Sequence, residues 1–452
     1  MGVRRISRWF RTSLMVVVAL MCGRAVINAQ ALTQLPAPSE APPPPPGANA
    51  VLDSARAIRG ARVSISLITY GPSGEVWERF GHDAIAVHDS SVGIDVAYNW
   101  GIFSFEQPGF YWKFLTGDTR YWMAAFQTEE YNAHYKEENR TIRVQQLALS
   151  NVEKAALAEF LVWNAAEENK YYRYDYYNDN CSTRARDALD YVLKGRLKPA
   201  LDTGTFGRTW RGETARVTGS DLLVYSGIEV ALGRNADKKL TPWAESFMPE
   251  RLADAMQTLV IRNDAGERYK IIAHDSVLFL STRIPMPLDP PDRVSMAALL
   301  GLTIAGIIAF LADSRFRFSR TVLVTFVSLW YIIGGLAGTA LLLAGTVTKH
   351  APYMGSNTTL WQMSPVLLFA AFVIPASLSR TQTSTAARIV SSLILALSVI
   401  GMLLQFIPSL SQQNGVVVAV TFPVHFALAI ALWRMSSADS PRRFPAAAPR
   451  AA

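Results

Sequence analysis

From Val294 onward the chain carries five apolar segments, at roughly 294–312, 321–345, 364–378, 389–408 and 416–433. A helix needs about 20 apolar residues to cross a bilayer, and inside hydrocarbon it must satisfy its own backbone polar groups. The segments are therefore predicted to form an all-α bundle of about five transmembrane helices. The third is the shortest and is bounded by Pro365 and Pro375. Half of the chain is hydrophobic and 18% is charged, against about 25% in an average soluble domain. That balance excludes a disordered chain and an ordinary soluble enzyme. The net charge of +8 does not point to nucleic acid, because no basic block of five or more occurs and several arginines flank apolar stretches. Arg315, Arg317 and Arg320 lie in the first connection, Arg380 and Arg388 in the third, and Arg434, Arg442, Arg443 and Arg450 in the tail. Positive charge collects on the cytoplasmic side, so the second and fourth connections are expected to face outward.

The N-terminus adds a second constraint. Arg4, Arg5, Arg8 and Arg11 precede the apolar run Leu14 to Met21, and Ala29-Gln30-Ala31 offers a small-x-small cleavage site. Residues 1–31 thus read as an export signal. Residues 32–50 read as a Pro-rich linker, with Pro42 to Pro46 favouring an extended spacer. A folded α/β body at 51–290, a membrane domain at 291–434 and a cytoplasmic tail at 435–452 complete the expected organisation. If the signal is removed, Cys22 goes with it and Cys181 is the one thiol left, an odd cysteine in an exported chain.

Within the body, 64–71, 82–90 and 93–101 read as short strands, the last two joined as a hairpin. Residues 151–169 and 181–195 read as helices, and two runs flanking Asp264-Ala265-Gly266 read as a final hairpin. Cys181 follows the turn and cap formers Asn178, Asp179 and Asn180, which puts its thiol at a helix N-terminus. The partial positive charge there favours thiolate, and the free N–H groups of the first turn suit a developing oxyanion. Asn180 and Asp179 are candidates for shaping that oxyanion site. A nucleophilic thiol wants a base, and His82, opening the second strand just after Gly81, is the best placed of six histidines. A third group should orient the imidazole. Asn99 is expected opposite His82 across the hairpin, with Tyr98 or Asp83 in its place if the register slips by one.

Residues 103–126 hold nine aromatics in 24 positions, with Lys113 and Arg120 among them. Such a run suits a membrane interface or a packed core. Arg184, Arg173, Tyr98 and Trp112 are the candidate substrate-binding residues, the arginines because guanidinium matches phosphate oxygens. Arg184 and Arg186 could equally pair with nearby aspartates. His350, Asn357 and Trp361 of the second connection could line an entrance at membrane level or serve as a plain helix connector. There is no HExxH, CxxC, GxGxxG or P-loop pattern, so neither a metal nor a soluble cofactor is expected.

The order of a strand histidine followed by Asn-Cys at a helix start resembles the circularly permuted papain-like thiol enzymes related to the NlpC/P60 group and lecithin–retinol acyltransferase. The motifs FGHDAIAV (80–87), YNWGIFSFEQPGFYWKFLTG (98–117), YRYDYYNDNCSTRARD (172–187), FGRTW (206–210) and FMPERL (247–252) resemble the exported domain of the Lnb-type lipoprotein N-acyltransferase family over roughly 60–285. The resemblance implies an α+β permuted papain-like (NlpC/P60-like) domain followed by transmembrane helices. It implies Cys181 and His82 as the catalytic pair. It also implies an inner-membrane, multi-pass location with the domain on the periplasmic face. The implied reaction takes an acyl chain from a membrane phospholipid, through a cysteine thioester, to the α-amine of a lipidated lipoprotein N-terminus. A thiol hydrolase of the same fold, acting on cell-wall peptides or lipid esters, and a non-catalytic lipid-binding or sensor protein are the alternatives.

Overall fold

The computed structural model describes residues 42–314, 318–378 and 384–434. The expected export signal with Cys22, Arg315, Arg317, Arg380 and the tail lie outside them. In the linker, Pro42 to Pro46 lie against the body. The Tyr191 hydroxyl donates to Pro43 O at 2.8 Å, and Arg56 donates to Pro44 O at 2.9 Å.

The body is α+β and centres on one seven-stranded antiparallel sheet. Helix α1 (Ala50–Gly60) precedes β1 (Val63–Tyr70), β2 (His82–Asp89) and β3 (Ile94–Ile102). Short α2 (Phe110–Thr116) leads to β4 (Arg120–Gln127), α3 (Thr128–Glu137) and β5 (Ile142–Leu147). Then come α4 (Asn151–Ala165), β6 (Tyr171–Arg173) and α5 (Cys181–Val192). Helices α6 (Trp210–Thr218), α7 (Leu222–Ala231) and α8 (Pro249–Thr258) follow, then β7 (Val260–Arg262), β8 (Arg268–Lys270) and β9 (Ile272–Phe279). The sheet order is β6-β4-β3-β2-β1-β5-β9, and each neighbouring pair is antiparallel.

The period of two in each strand feeds two separate cores. One face buries Ile65, Leu67, Ile85 and Trp100 beneath α4, α5 and α8. The other buries Ile68, Ala84, Ala97 and Ile142 beneath α3, where Tyr135 stacks on Tyr70 at 3.8 Å. Helix α4 starts at a capping box, with the Ser150 hydroxyl accepting from Glu153 N and the Glu153 carboxylate from Ser150 N. The expected closing hairpin is only β7 and β8, three residues each. Its second run continues as β9 into the main sheet against β5. Strand β4 arises from the aromatic run, whose period was masked by bulky residues on both faces.

Among the described residues, five helices are long and apolar enough to cross a membrane: α9 (Val294–Asp313), α10 (Ser319–Val347), a span over Thr358–Leu378 that contains α11 (Val366–Leu378), one over Thr385–Phe406 that contains α12 (Thr385–Leu403), and α13 (Gly415–Arg434). The third starts six residues before the expected 364, through a non-α turn. That irregular backbone is tolerated because it is buried in protein. Thr358 N donates to Gln412 Oε1 at 2.7 Å, and Asn414 Nδ2 donates to Thr359 Oγ1 at 3.0 Å. Both connections expected to face outward touch the body. Gly233 N donates to Tyr353 O at 2.8 Å, and a Cβ on Gly233 would fall 2.1 Å from Gly355 O, so only glycine fits there. Gln412 Nε2 donates to Leu232 O at 3.0 Å, and Gln413 N to Asp237 Oδ2 at 2.9 Å.

Candidate active site

Cys181 is the first residue of α5, and Asn180 is its cap. The Asn180 Oδ1 accepts from Ser182 N and Thr183 N at 2.9 Å each, and its Nδ2 donates to Tyr176 O and Phe247 O. The side chain shapes the turn rather than offering a free donor. Asp179 grips Arg184 through two contacts of 2.6 and 3.0 Å, and Arg184 lies 3.7 Å over the Tyr172 ring. Arg173 reaches Gly117 O at 3.4 Å, and Tyr98 is buried in the core. Trp112, by contrast, is 71% exposed on α2 beside exposed Tyr111 and Phe114.

The site forms where the sheet comes closest to α5. Gly101 has φ +94°, a region L side chains avoid. A Cβ built there would lie 3.6 Å from Cys181 Cβ, 4.0 Å from His82 Cε1 and 4.0 Å from the Tyr172 hydroxyl. Thiol, imidazole and phenol therefore surround one point, and the missing side chain at 101 leaves that point open. The β3–β4 register shifts between Asn99 and Ile102, which releases Gly101 from the regular pleat.

Asn99 pairs with Ala84, not with His82 as the hairpin reading expected. The four-residue turn at 90–93 lets the strands meet two residues further on. Asn99 still reaches the imidazole diagonally, with its Oδ1 3.2 Å from His82 Nε2. Asn99 Nδ2 donates to Ala97 O at 3.0 Å, which turns Oδ1 toward the ring. An amide oxygen only accepts, so Nε2 holds the proton and Nδ1 keeps the basic lone pair.

Burial pushes the His82 imidazole down to about 4, with the Arg140 guanidinium adding to the shift and the Asn99 contact opposing it. Burial and the Asp83 carboxylate push the Cys181 thiol up to about 12. The helix N-terminus was expected to favour thiolate, but desolvation and a neighbouring carboxyl outweigh it here. The N–H groups of Asp83, Ser182 and Cys181 nonetheless donate toward the sulfur. Burial raises the Asp83 carboxyl itself to about 6, against the pull of the Ser182 and Thr69 hydroxyls. The resting pair is thus a neutral thiol beside a neutral imidazole.

Sequence reasoning missed Tyr172. Its hydroxyl is buried with no hydrogen-bond partner among the described residues, and burial keeps it protonated well above the ordinary tyrosine range. It is a donor waiting for an acceptor at the site. Four tyrosines in six residues (171–176) carry no periodic signal that singles out one of them.

Residues 53–212 match the family described as the Lnb N-terminal periplasmic domain. These residues carry the Lnb N-terminal periplasmic domain. The match spans His82, Asn99, Tyr172 and Cys181. No curated protein and no solved structure matches the chain.

The Lnb domain is fixed to the helical bundle right at the turn that carries its thiol. Tyr353, between the second and third spans, donates to Asp175 Oδ1 at 2.6 Å and accepts from Asn178. His350 lies 3.0 Å from Phe114 O, which can only accept, so Nε2 donates there and Nδ1 faces the Tyr176 hydroxyl at 3.3 Å. Asn357 donates to Val230 O and Ala231 O at 3.0 Å each, and Trp361 packs against Gly401 between helices.

If Cys181 acts as a nucleophile with His82 as its base, Asn99→Ala is expected to slow acylation of the thiol by about 10–100-fold, since a misplaced group of this kind costs up to that range. It also removes the contact that supports protonated His82, so the acid limb of the pH profile should move lower, which a pH series of acylation rates reads directly.

Proposed function

We propose that this protein is a lipoprotein N-acyltransferase of the inner membrane, with its Lnb domain on the periplasmic face as a permuted papain-like thiol enzyme. The observation that carries this reading is the hydrogen-bonded dock between 348–357 and the Asp175–Asn180 turn. It ties the thiol to the membrane surface, where a phospholipid donor and a lipidated acceptor are both confined, and so raises their effective concentration. Exposed Tyr111, Trp112 and Phe114 on α2, beside that dock, suit contact with the bilayer interface.

In the first half-reaction the Cys181 sulfur attacks an ester carbonyl of the phospholipid, and its proton passes to His82 Nδ1. The Tyr172 hydroxyl and the N–H groups of Asp83 and Cys181 suit the oxyanion. The C–O bond breaks, His82 returns the proton to the leaving alkoxide, and lysophospholipid departs. In the second, the neutral α-amine of the lipoprotein's N-terminal cysteine attacks the thioester. His82 takes a proton from the attacking nitrogen and gives it to the departing Cys181 sulfur, leaving an amide. Arg184, held by Asp179, supports the site through Tyr172.

The test is purified full-length protein in phospholipid vesicles with a diacylated lipopeptide. The expected product is N-acyl lipopeptide with one lysophospholipid per amide. Free fatty acid in place of amide would mean a hydrolase, and no turnover of lipid at all would mean a binding protein. Tyr172→Phe should lower the acylation rate by about 10²-fold, the scale of losing one oxyanion donor, with little change in KM.

A further inference from the structure

A cavity of about 200 Å³ lies between α6, α7 and the starts of α9 and α13. Arg211, Tyr225, Glu229, Arg293, Gln413 and Gly415 are among its walls. Two of its ionisable groups are only partly paired. Glu229 is 5% exposed, burial raises its carboxyl above the usual range against the pull of the Arg211 guanidinium, and no hydrogen bond to the carboxyl group occurs among the described residues. Nearby Arg211 spends its guanidinium on Asp237 and on the carbonyls of Glu229, Leu232 and Gly233. Arg293 sits 4.6 Å over the Tyr225 ring and donates to Gly219 O, but its Nη1 is buried without a partner among the described residues. Buried charges without partners are costly. A carboxyl group without a hydrogen bond and one open guanidinium nitrogen on a single cavity, where Asp292 also stands with an oxygen accepting from Val294 N at 3.1 Å, suit a ligand that carries both an ammonium and an anion.

The position says which ligand. Arg293 immediately precedes α9, and Gly415 opens α13, so the cavity stands where two spanning helices leave the hydrocarbon, at headgroup level. Helix α7 turns Tyr225 and Glu229 inward and leaves Leu222 and Leu223 exposed, as an interfacial helix does. We propose that this cavity binds the headgroup of a phospholipid bearing a primary amine, with phosphate at Arg293 and ammonium at Glu229. A glycerol headgroup leaves Glu229 unpaired, and a choline headgroup cannot donate hydrogen bonds to it. The site is separate from the thiol. Helix α6 lies between them, with Thr214 bonded to the Tyr177 hydroxyl at 2.8 Å while Gly212 and Ala215 face the cavity. None of His82, Asn99, Tyr172 and Cys181 lines the cavity, and the bound lipid is assigned as a seat for the Lnb domain.

The test uses full-length Cys181→Ala protein, so that turnover plays no part, in detergent with equal amounts of phosphatidylethanolamine, phosphatidylglycerol and phosphatidylcholine. Native mass spectrometry should show one retained phosphatidylethanolamine, preferred about tenfold over the other two. Glu229→Gln should abolish that preference, and Arg293→Gln should lower retention of all three. Soluble glycerophosphoethanolamine should bind at least tenfold more weakly than the lipid. Equal retention of the three lipids overturns the proposal, and so does unchanged preference in a folded Glu229→Gln variant. If Glu229→Gln does not fold, retention unchanged by Arg293→Gln overturns it. Binding of the soluble compound as tight as that of the lipid would assign the cavity to a soluble ligand instead.

Discussion

Replacing Cys181 by alanine is expected to abolish N-acylation, by roughly a thousandfold or more, as removal of a nucleophile does elsewhere. Cells depleted of their own N-acyltransferase and supplied with this protein provide the readout. Mass spectrometry of lipoprotein N-terminal peptides should show one added amide-linked acyl chain with the wild type and none with Cys181→Ala. The variant should fold normally, since Cys181 forms no disulfide among the described residues and lies only partly in the core. Equal acylation by both proteins would remove the thiol from the chemistry.

His82→Ala should lower acylation by about 10²–10⁴-fold, the usual weight of a positioned base. The more telling result is the pH profile of the wild type. With the imidazole held down to about 4, it stays neutral and basic throughout the range above. Lysophospholipid release in a single turnover should therefore be flat from about pH 5.5 to 8, with its acid limb near 4, where an ordinary histidine would place it near 6.5. Full transfer should behave differently and climb toward about pH 8, as the acceptor α-amine loses its proton. The same shift has a stability consequence. The unfolded chain binds a proton at His82 near 6.5 and the folded chain only near 4, so this contribution is complete above about 6.5 and is lost as pH falls through that window.

Much of this architecture was legible in the residues. Hydropathy alone located all five spans, because a bilayer demands length and apolarity from each segment by itself. The turn formers at 178–180 placed Cys181 at a helix start, since a cap is a local device. His82 stood at the head of its strand for the same reason. What failed depends on tertiary contact. Asn99 was reached through the wrong register, as hairpin pairing is set by the turn at 90–93 and not by the strands. The thiol's direction of shift was misjudged because burial and Asp83 arrive from other elements. The role of 348–357 was open between entrance and connector. Its contacts through Tyr353 and His350 go to residues more than a hundred positions away, and an irregular loop carries no period to announce them.

The central claim is that Cys181 carries the acyl chain as a thioester, and it can be observed directly. Full-length protein is incubated with phospholipid and no acceptor, quenched in acid, digested, and the peptide containing Cys181 is weighed. The account predicts one acyl chain on that peptide, released by neutral hydroxylamine, lost when diacylated lipopeptide is added before the quench, and absent in His82→Ala on the same timescale. An unmodified Cys181 peptide during active transfer, or an adduct that the acceptor cannot discharge, would contradict it.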